Sequence, residues 1–114
     1  AEEAALRMLS ASDRPTGVLA LWHECVQGAV RAARTLGLAP GRDVEIVGWT
    51  PEEQYETVYR ALFGGGPIPP TVIWSAARLA RFALAELAEM RCDKKRLPRL
   101  TRVPARLMPG SDVR

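Results

Sequence analysis

Along this chain apolar residues recur at helical spacing in four stretches, and between those stretches they crowd into short runs with little polar relief. The spacing predicts a first helix over residues 2–10, with Ala5, Leu6 and Leu9 on one face. Residues 16–22 form a continuous apolar run of strand length, and a run without alternation suits a strand covered on both faces, as in a parallel sheet. A second helix is predicted over 24–36, where Val26, Ala29, Val30, Ala33 and Leu36 share a stripe and Gly37 is placed to end it. Pro40 and Gly41 mark a turn, and residues 44–49 read as a second strand. Thr50, Pro51 and Glu53 then spell a helix start. Thr50 is placed as the cap, Pro51 at the first helical position and Glu53 to close a capping box. That helix carries Tyr55, Val58, Tyr59 and Leu62 and stops at Gly64-Gly65-Gly66.

After a proline connector, residues 71–74 form a third extended segment. Ser75 is placed to cap a longer helix over 76–90, with Leu79, Phe82, Ala83, Leu87 and Met90 expected inward. Beyond Cys92 the helical period ends. Pro98, Pro104 and Pro109 punctuate an extended tail in which 103–108 reads as one last edge strand. Helices alternating with strands imply an α/β fold, a mostly parallel sheet flanked by helices. Three strands and one edge make a thin sheet, and the order begins on a helix. Both features suggest part of a larger domain.

A chain of 114 residues has room for one domain, and 47% apolar with 25% charged residues is a globular balance. No apolar run approaches the ~18 residues that span a bilayer, and the acidic, amphipathic start is unlike a secretory signal. Cys25 and Cys92 have no motif spacing, which points to reduced thiols in a cytoplasmic protein rather than a disulfide scaffold. The net charge of +3 hides an asymmetry: residues 1–90 hold 8 Lys/Arg against 11 Asp/Glu, net −3, and residues 91–114 hold 8 against 2, net +6. Such a tail suits weak contact with phosphate, but it reads first as a solvated connector.

Ligands of open parallel sheets sit outside the carboxyl ends of the strands. All three tryptophans, Trp22, Trp49 and Trp74, close the three expected strands. Gathered at one edge, indoles suit stacking on a sugar or a heteroaromatic ring, though core packing accounts for such residues equally well. His23, Glu24 and Cys25 are consecutive, so they do not converge as metal ligands, and no third group orients a Cys25/His23 nucleophile pair. A buried Cys25 and a helix start at His23 and Glu24 are the plainer expectation. Gly64-Gly65-Gly66 lacks the lysine and hydroxyl of a phosphate loop. No catalytic residue, metal or cofactor is indicated.

Several ordered blocks resemble the lac-repressor family of bacterial transcription regulators. Arg14-Pro15-Thr16-Gly17-Val18-Leu19-Ala20 is similar to the family's R-P-T-A-V strand, with Gly28-Ala29 and Ala32 in the helix that follows. Leu36-Gly37-Leu38, Pro40 and Asp43-Val44-Glu45-Ile46-Val47-Gly48-Trp49 resemble L-G, P and D-V-x-V-V-G-F. Pro70-Thr71-Val72 resembles the crossing strand, and residues 107–111 the closing one. The blocks keep their order over nearly the whole chain. The resemblance implies part of a two-lobed periplasmic-binding-protein type I fold, with residues 1–74 in the C-terminal lobe and 75–114 a helix and basic tail crossing to the other lobe.

It further implies an effector-sensing and dimerisation segment of a cytoplasmic regulator that reaches DNA only through a headpiece outside this chain. The partners implied are a small-molecule effector, a sugar or an aromatic compound, and a second copy in a homodimer, with no membrane contact. Effector contacts fall on Trp22, His23, Thr50 and Trp74, and dimer contacts on Gln27, Val30, Arg31 and Tyr59. The alternative is a fragment of a periplasmic solute-binding protein of the same fold. Where the family carries Asn-Asp after the first strand, this chain has Trp22 and His23. Where it carries Asp-Asp after G-F, this chain has Thr50 and Pro51. The implied cleft is more aromatic than the family's.

Overall fold

A computed structural model describes residues 1–95, 97 and 99–111; Pro98, expected to punctuate the tail, lies outside the described residues. The chain runs α1 (Glu2–Leu9), β1 (Gly17–Leu21), α2 (His23–Thr35), β2 (Glu45–Pro51), a composite helix α3 over 52–63, β3 (Thr71–Trp74), α4 (Ala76–Cys92) and β4 (Arg106–Met108). The strands form one sheet in the order β1-β2-β3-β4. The first three are parallel, as βαβ crossovers require, and β4 returns antiparallel to β3. The mixed α/β architecture with a mostly parallel sheet is the one that the alternation of periods predicts.

The register places Ala20, Gly48 and Thr71 in one row, and Leu21, Trp49 and Val72 in the next. Side chains alternate across a sheet. One face carries Val18, Ala20, Ile46, Gly48, Thr50, Thr71 and Ile73, of which only Val18 is not fully buried. Val26, Ala29, Val30 and Ala33 of α2, Leu9 of α1 and Tyr55 and Tyr59 of α3 complete the same core.

The opposite face, with Leu19, Leu21, Val47, Trp49, Val72, Trp74 and Leu107, has none of these residues buried. Leu19 is 60% and Leu107 62% exposed. The expectation of a strand covered on both faces therefore fails for β1. Its apolar run is continuous although the described residues leave its second face open, with Leu19 and Leu21 exposed.

α3 changes its winding twice, from an α-helical start (Glu52–Gln54) through a π-helical turn (Tyr55–Tyr59) to a 3-10 turn (Arg60–Phe63), and ends where Gly64 takes φ 55°. This winding stacks Tyr55 on Tyr59 at 5.6 Å and sets Phe63 against Tyr59 at 5.3 Å. Thr71 Oγ1 lies 2.9 Å from Tyr59 Oη and 2.8 Å from the Pro69 carbonyl. With one hydrogen to give, the threonine donates to the carbonyl and receives the phenol's. Burial pushes the Tyr59 phenol up to about 12.

The inward face expected on α4 is corrected. None of its seventeen residues is buried, and Leu79, Phe82 and Leu87 are about half exposed. Segment 99–103 runs beside α4, lining a groove with Leu79, Phe82 and Ala83, but neither packs on the sheet core. The chain leaves the sheet at Ser75 and is back by Arg106; Ile68 and Ser111 then exchange both backbone hydrogen bonds, at 3.2 and 2.9 Å. The excursion stretches the molecule to 58 × 32 × 20 Å with a radius of gyration of 18.1 Å. A compact chain of this length would have about 13 Å.

Candidate functional site at the carboxyl edge of the sheet

β1 ends at Leu21, and the chain turns into α2 through Trp22. That residue takes φ 72° and ψ 146°, a conformation that side chains other than glycine rarely adopt. Strain of this kind costs about 1–3 kcal/mol and persists only where the surroundings impose it. The Trp22 carbonyl accepts the Cys25 and Val26 amides at 3.1 and 3.2 Å, which fixes the turn, and the indole is left 56% exposed. It lines an apolar groove of about 450 Å³ along the free edge of β1, with Met8, Leu19, Leu21 and Cys25 among its walls.

His23 opens α2. Its imidazole is 18% exposed, its Nε2 lies 3.1 Å from Glu24 Oε1, and its Nδ1 is buried with no hydrogen-bond partner. Cys25, expected buried, is exposed, because the turn at Trp22 rotates it toward the β1 edge and not under the helix.

Thr50 is not the helix cap expected of it. It continues β2, paired with Ile73, and α3 begins after Pro51 with no side-chain cap. Thr50 is completely buried and its hydroxyl has no partner. Trp74 ends β3 beside Pro51, and its indole N–H is buried and likewise unpaired. Buried polar groups are nearly always hydrogen-bonded, so three such atoms at one sheet edge are unusual. By alternation Thr50 and Trp74 lie on opposite faces, and Trp22 sits beyond the end of β1. The three share an edge, not one wall, which corrects the picture of indoles gathered side by side. Trp49 stands one row further back, since β2 runs two residues past it.

Glu53 does not close a capping box on its own helix. Its Oε1 accepts the Ser75 hydroxyl at 2.8 Å and the Ala77 amide at 3.0 Å, and its Oε2 accepts the Ala76 amide at 3.2 Å. Hydrogen bonds from the Ala77 amide, its own amide and the Ser75 hydroxyl hold the carboxyl down at about 2. Ser75 caps α4 as predicted, accepting the Arg78 amide at 3.2 Å. Next to Glu53, Glu52 lies 3.7 Å from Arg106 at the start of β4. No local pattern signals Glu53's partner, because it stands more than twenty residues away.

Of the four residues assigned to a dimer contact, Val30 and Tyr59 are buried in the core and offer a partner no surface. Their periodicity marks the face turned to the sheet. Gln27 donates to the Leu62 carbonyl at 3.0 Å, and Arg31 lies on the surface 3.9 Å from Glu2. Among the described residues, no group of three or more His, Cys, Asp or Glu side chains is placed to hold a metal, and no helix is long and apolar enough to cross a membrane.

No protein-family profile matches the chain, and no curated protein does. A crystal structure described as a ribose operon repressor from Burkholderia thailandensis superposes with a TM-score of 0.61 at 26% identity, over 94% of this chain. This chain carries part of the periplasmic-binding-protein type I fold. It spans 38% of the length of that repressor. The edge holding Trp22, His23, Thr50 and Trp74 is thus the carboxyl edge of a sheet similar to the repressor's.

Proposed function

We propose that the chain is the effector-sensing segment of a transcription regulator of the lac-repressor type, acting on DNA through a headpiece elsewhere in the regulator. The observation that carries this reading is the set of buried polar atoms without partners, His23 Nδ1, Thr50 Oγ1 and Trp74 Nε1, at the carboxyl edge of a repressor-like sheet. Strung along one edge but on different faces of the sheet, an imidazole nitrogen, a hydroxyl and an indole N–H suit a ligand with several hydroxyl or carbonyl oxygens that lies across that edge, and the exposed Trp22 indole offers a flat apolar partner for a ring. A sugar meets both demands, and the likeness to a ribose operon repressor makes ribose the first candidate. A ligand that binds the open and closed lobes unequally would shift DNA binding by that difference. Residues 1–74 would form one lobe, and α4 with the tail would cross to the other.

The test is a titration of the complete regulator's tryptophan fluorescence with ribose, other pentoses and hexoses, and aromatic glycosides. One of them should change the emission saturably. Thr50→Val, which deletes one unpaired hydroxyl and little volume, should weaken that ligand about tenfold. No response to any of them, or an affinity that Thr50→Val leaves unaltered, would remove the support for this reading.

A further inference from the structure

We propose that Glu53 is a positioning residue that latches α4 to the sheet and thereby sets the aperture of the effector cleft. This rests on reading the carboxyl edge as that cleft. α4 is a stalk of seventeen residues, about 25 Å long at the usual rise. With none of its residues buried, no contact with the sheet core fixes its direction; besides segment 99–103 alongside it, its bearing on the sheet rests on its junction with β3. At that junction one carboxylate takes three hydrogen bonds, from the Ser75 hydroxyl and the Ala76 and Ala77 amides.

The carboxylate stands at the start of α3, three residues past the buried Thr50, so it belongs to the body that carries the unpaired polar atoms. Its neighbour Glu52 holds Arg106, where the chain returns. Consecutive glutamates thus fasten the outgoing and the incoming crossings at one corner. A small change of angle there moves the far end of α4 by many ångströms. Glutamine cannot replace Glu53 fully, because its amide nitrogen would face donors where a second carboxylate oxygen accepts.

The native cysteines allow a direct test on the full chain. Cys25 lies on α2 and Cys92 ends α4, both are exposed, and neither touches the latch. Spin labels on the two report the bearing of α4 against the sheet by electron–electron distance measurement. Glu53→Ala should broaden that distance distribution about twofold, as expected when a locally anchored element is released. Glu53→Gln, which keeps the shape, should fall between, and guards against a variant that does not fold. Exchange of the Ala76 and Ala77 amides should quicken about fivefold, the loss of a good helix cap, while the β1 and β2 amides keep their protection. A distance distribution unchanged in both variants overturns the proposal, including when the amides do exchange faster, since the carboxylate would then be a cap only. No ligand enters this experiment, so its outcome is independent of whether a sugar binds.

Discussion

Gly48 marks the closest approach of β2 to α3, and replacing it by alanine probes that contact. A Cβ at this position would overlap the Tyr59 phenol oxygen, and would lie 3.0 Å from Thr71 Oγ1 and 3.1 Å from Tyr59 Cζ. Tyr59 is wholly buried between Tyr55 and Phe63 and cannot swing aside. Two effects oppose each other. Alanine is favoured over glycine in a strand by about 0.5–1 kcal/mol, while overpacking a filled core costs about 1–3 kcal/mol. Crowding wins, and Gly48→Ala should lose about 1–2 kcal/mol.

Tyr59→Phe alone deprives Thr71 Oγ1 of the hydrogen it receives and should cost about 1 kcal/mol. The same change removes the oxygen with which the new methyl collides. The double variant should therefore be about 1 kcal/mol more stable than the sum of the single effects requires. Urea unfolding of the four proteins, followed by circular dichroism and extrapolated linearly, gives the coupling directly. Additivity within about 0.3 kcal/mol would refute the packing of Tyr59 against Gly48.

Acid should weaken the chain through two carboxylates. Asp43, bound by the Arg42 guanidinium and the Ala39 amide, and Glu53, bound at α4, both sit at about 2, below their ordinary 3.8 and 4.5. Because both are lower when folded, their contribution is complete above about pH 4.5 and is lost as pH falls toward 2. Thermal melts across that interval should show the decline, and Asp43→Asn should make it shallower; an unchanged slope would remove Asp43 from the account. Self-association is the third expectation, from Leu79, Phe82 and Leu87, each worth roughly 1.5–3 kcal/mol if fully buried. Sedimentation at micromolar concentration should show a dimer or larger species that Leu79→Ser, Phe82→Ser and Leu87→Ser together return toward the 12.5 kDa monomer. A wild-type chain that is already monomeric would contradict it.

The kinds and order of the elements were legible in the amino-acid sequence, because helical and strand periods are local properties. Leu9, Val26, Ala29 and Ala33 announce buried helix faces by spacing alone, Ser75 announces a cap, and the alternation of elements announces parallel strands. The carboxyl edge of the sheet follows from that topology, which is why Trp22 and Trp74 could be named as candidates; His23 and Thr50 were named through the resemblance to the lac-repressor family. What the tertiary structure alone decided is which of these groups have partners and which faces are covered.

The apolar stripe of α4 and the run in β1 show what would gain by leaving water, but not whether anything is there to receive it. Thr50 reads as a cap from its neighbours, yet parallel pairing with Ile73 holds it in β2, because a strand extends as far as its partner's hydrogen bonds reach. Val30 and Tyr59 looked like residues for a second subunit and are core instead. Glu53 carries the clearest case: a capping pattern spans three residues, while the groups it binds stand 22 to 24 residues away, and only the register of β2 against β3 brings them within hydrogen-bond distance.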